Sequence, residues 1–242
     1  MKKIAILLPG LLRTYDKTSQ HFFQNIIKPN QEKYLIDTYL GFWNYTHKRG
    51  NNGLREEVQT VDKDQIEEIL DLYKPKEYIV LDDYEAKNSI EFPNIVSNII
   101  ETLGRPNHPD GDSLLQNGLV AQTYTWHRTY SLLKESYDYV MKTRFDIATE
   151  KIFFDDFIPE KFNCAGPTHQ FSQYKLADTL FCSNQKTMEN IMYKYHEDII
   201  KDKIPNISES YPNVFPEYVL KDYLKRNNIK INYLNKKVYI VR

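Results

Sequence analysis

The chain has 242 residues, long enough for one large domain with its own core and no need of covalent staples. Its 32 Lys+Arg against 33 Asp+Glu leave a net charge of -1, which excludes the basic field that non-specific nucleic-acid binding requires. Aromatic residues make up 14 %, with 19 Tyr, a composition that suits a core first and a sugar-binding cleft second.

Only Cys164 and Cys182 are present, without CxxC or Cys/His ligand spacing, so structural zinc is not expected. Met1 to Leu12 imitates a signal peptide, but Pro9-Gly10 interrupts the apolar run and Arg13-Thr14-Tyr15-Asp16 follows with no small-residue cleavage site. No run approaches the ~20 apolar residues of a membrane span. The expectation is a soluble, cytoplasmic protein.

In chain order, Lys3 to Leu8 is an uninterrupted apolar run, the mark of a strand buried on both faces of a parallel sheet, and Pro9-Gly10 ends it. After Asp16, Phe22, Phe23, Ile26 and Ile27 form a helical stripe that Pro29 stops. Tyr34 to Leu40 reads as a second strand with Asp37 at or near its end. Asn44 to Val58 is polar and reads as a loop or flap. With Asp62 or Asp64 as N-cap, Ile66, Ile69, Leu70 and Tyr73 predict a helix up to Pro75, and Glu77 to Leu81 a third strand. This βαβαβ order makes a parallel sheet the default.

Residues 83–112 read as irregular. A helix from Ser113 to Leu133, weakened at Gly118, then feeds Tyr137 to Ile147, read as the fourth parallel strand. Alternation puts Lys142, Arg144 and Asp146 on one of its faces, and three charges on so apolar a strand need a reason. Beyond Asp146 the pattern predicts short strands at Phe153–Phe157, Phe162–Ala165 and Asp178–Cys182. A helix follows over about Asn184–Asp198, then a loop over 204–214. Pro216-Glu217 opens another helix, with Pro at the first position and an acid on the positive end of the dipole. Ile229–Leu234 and Val238–Val241 close the chain as strands.

In open α/β sheets ligands bind outside the carboxyl ends of the strands, which singles out Pro9 to Asp16, Asp37 to Asn44, the loop beyond Leu81 and Arg144 to Glu150. The first such loop holds neither GxGxxG nor a P-loop, and no GxSxG elbow occurs anywhere. Arg13 and Thr14 are candidate phosphate or base contacts, set against a solvated turn. For Lys142, Arg144 and Asp146 a salt-bridged strand end competes with a site where Asp146 meets a metal or sugar hydroxyl and the two cations attract a diphosphate. His127, mid-helix beside Trp126, reads as packing; His169 is a plausible acid or base.

Leu8-Pro9-Gly10-Leu11-Leu12-Arg13-Thr14, Ile36-Asp37-Thr38-Tyr39 with Trp43, Tyr137 to Asp146, Asp178-Thr179-Leu180-Phe181 and Pro216-Glu217 occur in an order that resembles the nucleotide-diphospho-sugar transferase fold GT-A. The resemblance is to a viral and bacterial group acting on surface polysaccharides. It implies a GT-A-like, Rossmann-like α/β fold: a mostly parallel sheet flanked by helices, with a nucleotide-sugar half over 1–147 and a mixed acceptor half over 148–242. The implied function is sugar transfer from a UDP-, GDP- or dTDP-sugar to a glycan or other acceptor in polysaccharide biosynthesis.

The implied donor site comprises Pro9, Gly10, Arg13, Thr14, Asp37, Lys142, Arg144 and Asp146. Arg144-Phe145-Asp146 takes the place of the family's Asp-x-Asp motif, leaving Asp146 as the one ligand for Mn²⁺ or Mg²⁺ where the usual first acid is Arg144. Asp178 and Glu217 are the candidate catalytic acids, each with a plain alternative as a turn or first-turn helix residue. Two rival readings are a non-catalytic glycan- or partner-binding module and a nucleotidyltransferase; for the latter, Pro9 to Thr14 is a poor triphosphate loop.

Overall fold

The apolar run at the start of the chain sets the architecture. Ile4 to Leu8 are excluded from solvent on both faces: Ile4, Ile6 and Leu8 enter one core, Ala5 and Leu7 the other. A strand covered on both sides needs a helical layer above and below it. A computed structural model describes residues 1–49, 55–82, 118–165, 176, 178–200 and 216–241, and in it both layers are present.

The central sheet has seven strands in the order β10-β8-β9-β6-β1-β2-β5. They are β1 (Lys2–Gly10), β2 (Tyr34–Trp43), β5 (Glu77–Leu81), β6 (Tyr139–Lys142), β8 (Phe162–Ala165), β9 (Leu180–Ser183) and β10 (Ile231–Tyr233). All pairings are parallel except those of β9, which runs against both β6 and β8. The expected α/β class with a mostly parallel sheet and a mixed carboxyl-terminal part is what the chain adopts. From β1 the chain moves outward to β2 and β5, then crosses back to β6 on the other side of β1. The order therefore reverses between β1 and β6, which is where such sheets open a crevice.

One layer holds α1 (Tyr15–Phe22), prolonged by a π-helical turn over Phe23–Ile27, and α2 (Lys63–Tyr73). Phe22, Ile26, Ile69 and Tyr73 face the even-numbered side of β1. The start of α2 follows its sequence: Asp62 accepts from Gln65 N while the Gln65 side chain accepts from Asp62 N, a reciprocal cap. The second layer holds α3 (Gly118–Tyr130), α4 (Gln185–Glu189), a π turn over Asn190–Lys194, α5 (Tyr195–Ile200) and α6 (Pro216–Arg226). Trp126, Met188, Ile191, Met192, Tyr195, Leu220 and Leu224 form its core. Burying each such aliphatic side chain stabilises by about 1.5–3 kcal/mol.

Four expectations are corrected. Asn44 to Val58 is no plain loop: β3 (Tyr45–Arg49) and β4 (Arg55–Thr60) pair as an antiparallel hairpin. Phe153–Phe157 forms no strand, because the buried side chain of Asn30 accepts from Phe154 N and donates to Ile152 O, and a 3₁₀ turn over Phe154–Asp156 results. The second strand does not stop near Leu40 but runs on through Gly41 to Trp43. Gly41 is needed there, since a Cβ would overlap the Thr129 side chain of α3.

The fourth correction concerns the charged strand. β6 ends at Lys142, and β7 (Ile147–Thr149) pairs with β11 (Val238–Ile240) in a separate two-stranded sheet. Residues 143–146 form the turn between them. The readings at 83–112, 113–117 and 204–214 and at His169 lie outside the described residues. Among the described residues no helix is long and apolar enough to cross a membrane.

Candidate functional site

Pro9 helps open the crevice. The Leu7 carbonyl accepts from Thr143 N on the β6 side, and alternate strand residues face the same neighbour. Pro9 therefore also faces β6 and has no N–H to extend the ladder, whose last pair is Leu7 with Lys142. Gly10, with φ 141°, then turns the chain away in a conformation that side chains rarely allow. Arg13 follows at the mouth of this gap. Thr14, at φ 44°, is pinned: its hydroxyl donates to Val241 O and its carbonyl accepts from Thr18 at the start of α1.

Across the gap stands the turn after β6. Arg144 clamps Asp146 with a two-pronged bond, Nε to Oδ1 at 2.8 Å and Nη2 to Oδ2 at 2.7 Å. Arg13 Nη1 lies 3.9 Å from the same Oδ2. The Asp146 side chain is only 4 % exposed, whereas each arginine keeps a quarter of its side chain in contact with solvent. One buried carboxylate thus gathers two partly exposed guanidiniums. Burial opposes the charge on Arg144, but Asp146, with Asp178 and Glu217 beyond it, more than offsets this and holds the guanidinium above its ordinary pKa.

Because β9 runs backward, its first residues lie at the carboxyl edge of its neighbours, and Asp178 arrives just ahead of it. Its carboxylate accepts from Gln122 Nε2 of α3, and its carbonyl accepts from Lys142 Nζ. Lys142 is wholly buried, its ammonium 4.9 Å from the Trp126 ring centre and 5.2 Å from that of Phe181. Burial pushes its pKa down to about 7, the charges of Asp178 and Asp146 acting in the other direction.

Glu217 completes the group from the first turn of α6. Burial, then the neighbouring Asp178 charge, raise its pKa, while its own backbone N–H and Arg144 pull the other way. Its Oε2 is shielded from solvent and has no hydrogen-bond partner among the described residues. A buried acceptor left unpaired is costly in a fold that satisfies nearly all others.

The expected residues divide accordingly. Pro9, Gly10, Arg13, Lys142, Arg144, Asp146, Asp178 and Glu217 meet at the carboxyl edge. Thr14 lies beside them with its hydroxyl committed to the backbone. Asp37 does not join them. It pairs in β2 with Ala5, far short of the strand's end at Trp43, and is held at the opposite edge by Lys76 Nζ at 2.9 Å and Tyr137 Oη at 2.7 Å. The carboxyl ends of β2 and β5 carry Asn44 and Asp82 instead, joined at 2.6 Å from Asn44 Nδ2 to Asp82 Oδ2. Asn44 and the loop that Asp82 opens were singled out as strand-end positions without a role, as the first polar residues after the apolar runs ending at Trp43 and Leu81; Gln122 was missed, with nothing in the sequence to mark it. His127 stacks on Tyr193 at 4.1 Å between ring centres, in keeping with a packing role.

A divalent ion does not fit Asp146 as it stands. Mg²⁺ and Mn²⁺ seek several oxygen ligands. Here both carboxylate oxygens already receive guanidinium bonds, and among the described residues no three His, Cys, Asp or Glu side chains converge as a ligand set.

The chain matches no family model and no curated protein. Among solved structures it is similar to apo mouse xyloside xylosyltransferase 1, with 6 % identity and a TM-score of 0.45 over 97 % of this chain and 85 % of that one.

Proposed function

We propose that this protein is a glycosyltransferase that moves a sugar from a nucleoside-diphosphate donor to a hydroxyl of a glycan or other acceptor. The observation that carries the reading is the meeting, at the strand-order reversal, of two guanidiniums held on one buried carboxylate with a second carboxylate, that of Glu217, one of whose oxygens is shielded and unpaired among the described residues. Transfer breaks the bond between the sugar's anomeric carbon and the diphosphate oxygen, leaving negative charge on the departing group. Fixed cations where that charge develops lower the barrier. The acceptor hydroxyl must lose a proton as it forms the new bond, and a carboxylate with a raised pKa is suited to take it. Glu217 is assigned this step. Asp178, engaged by Gln122, is assigned to shaping the wall behind it.

The nucleoside end is assigned to the carboxyl ends of β2 and β5, where Asn44 and Asp82 replace the Asp37 of the sequence reading. UDP-, GDP- and dTDP-sugars are the donor candidates, and surface-polysaccharide synthesis in the cytoplasm is the setting.

Incubating the full chain with each donor and following nucleoside-diphosphate release tests the reading, since transferases leak slowly to water without acceptor. Release from at least one donor is expected. No release from any, with or without an acceptor pool, would leave only a binding module.

A further inference from the structure

We infer that the donor's diphosphate is met by the guanidiniums of Arg13 and Arg144, with Asp146 as their organiser, and that donor binding needs no divalent metal. This deepens the function proposed above and rests on it.

The argument is one of occupied and unoccupied positions. A metal ligand must offer lone pairs, and each oxygen of Asp146 already accepts a bond from Arg144, with Arg13 close to one of them, so a metal there would compete with the guanidiniums. The Arg144 bonds use Nε and one hydrogen of Nη2. Nη1 makes no hydrogen bond among the described residues, so the guanidinium keeps donors to offer a phosphate oxygen. Arginine's planar fork can bind an anion on one edge while clamped to a carboxylate on another.

Charge points the same way. A metal brought to Asp146 would have to displace Arg144 and stand beside two guanidiniums, whereas a diphosphate meets them as an anion. The spacing adds a geometric reason: Arg13 comes from the loop after β1 and Arg144 from the turn after β6, so the pair spans the gap opened by Pro9. An anion in the gap would be held from both walls. Asp146 acts through the two arginines and is a positioning residue, touching neither donor nor acceptor.

Isothermal titration of UDP, GDP and dTDP into the full chain, in EDTA and then in Mn²⁺ or Mg²⁺, is the test. At least one nucleotide is expected to bind with a Kd that differs less than about threefold between EDTA and metal. Arg144→Lys keeps the charge but loses the fork, and is expected to weaken that nucleotide at least tenfold while its circular dichroism stays native. Arg13→Gln, which removes the longer of the two contacts to Asp146, is expected to weaken it about fivefold and to flatten the salt dependence of binding. Asp146→Asn should weaken the nucleotide yet leave binding insensitive to EDTA. Binding that disappears in EDTA and returns with Mn²⁺ overturns the metal-free assignment while sparing the transferase reading. Failure of all three nucleotides in both conditions overturns both.

Discussion

Two edges of one sheet carry nearly the same chemistry and treat it differently. At the amino edge Asp37 is held by Lys76 and by Tyr137, which in turn meets Tyr39 at 2.6 Å, while Glu135 binds both Lys76 and Lys3. Asp37 and Glu135 each have a named cation there, and the pairs stand about a third or more exposed. At the carboxyl edge Asp146 is buried beneath two arginines that each keep a quarter of the side chain in solvent, and one Glu217 oxygen has no hydrogen-bond partner among the described residues. Charge on a sheet edge therefore does not mark a site. Charge that is buried and incompletely satisfied does, because the fold bears that cost only where something else completes the set.

The sharpest way to break the contrast is Glu217→Gln. If Glu217 takes the acceptor's proton, turnover should fall by about 10²- to 10⁴-fold with donor binding little changed. A base works when deprotonated and the Glu217 pKa is raised, so the acidic limb of the wild-type rate profile should lie above the ordinary glutamate range. The variant should lose that limb. Asp37→Asn should leave both rate and profile within about twofold, since surface ion pairs contribute little; equal losses in the two variants would erase the distinction between the edges.

Stability gives the next largest effect. Asp146→Ala strips two arginines of their counter-charge. Removing one partner of a buried pair costs 3–5 kcal/mol, and the partial exposure of both arginines brings the expected loss to about 2–3 kcal/mol. A calorimetric Tm lower by roughly 5–10 °C would register it. Asp37→Ala should move Tm by no more than about 2 °C.

Lys142 separates the edges by pH. Its folded pKa, about 7, lies below its unfolded value, so between pH 7 and about 10 the unfolded chain binds more protons than the folded one. Stability should then rise with pH across that window, relative to Lys142→Met, by at most ~1.4 kcal/mol per unit, and the difference should level off below pH 7. Paired denaturant titrations at pH 6.5, 8 and 9.5 measure it. A flat difference would mean that the ammonium finds solvation in the folded state.

What was legible in the sequence was what local chemistry dictates. The apolar run of β1, the Asp62 cap with Gln65 three residues on, and Pro216-Glu217 opening α6 each carry their cause within a few residues. What was not legible depended on distant partners. Asp37 was misplaced because the second strand was read only to Leu40, whereas β2 continues through Gly41 to Trp43 and uses the missing side chain to admit Thr129. The end of β6 was misread because β7 takes its partner from β11, about ninety residues away, and no residue near Asp146 announces it. Most of the candidate residues still meet at one edge, since the approach to a strand's carboxyl end is a property of the fold class and not of the strand's exact length.

The reversed strand has one more consequence. β8 ends at Ala165 and β9 begins at Leu180, the two directly paired, and Thr179 Oγ1 closes them by donating to Ala165 O. The segment joining them thus leaves from and returns to the edge that holds Asp178, Arg144 and Glu217. Leu176, two residues ahead of Asp178, is buried in the core of the second layer, so the return to that edge is anchored by packing as well as by the Thr179 bond.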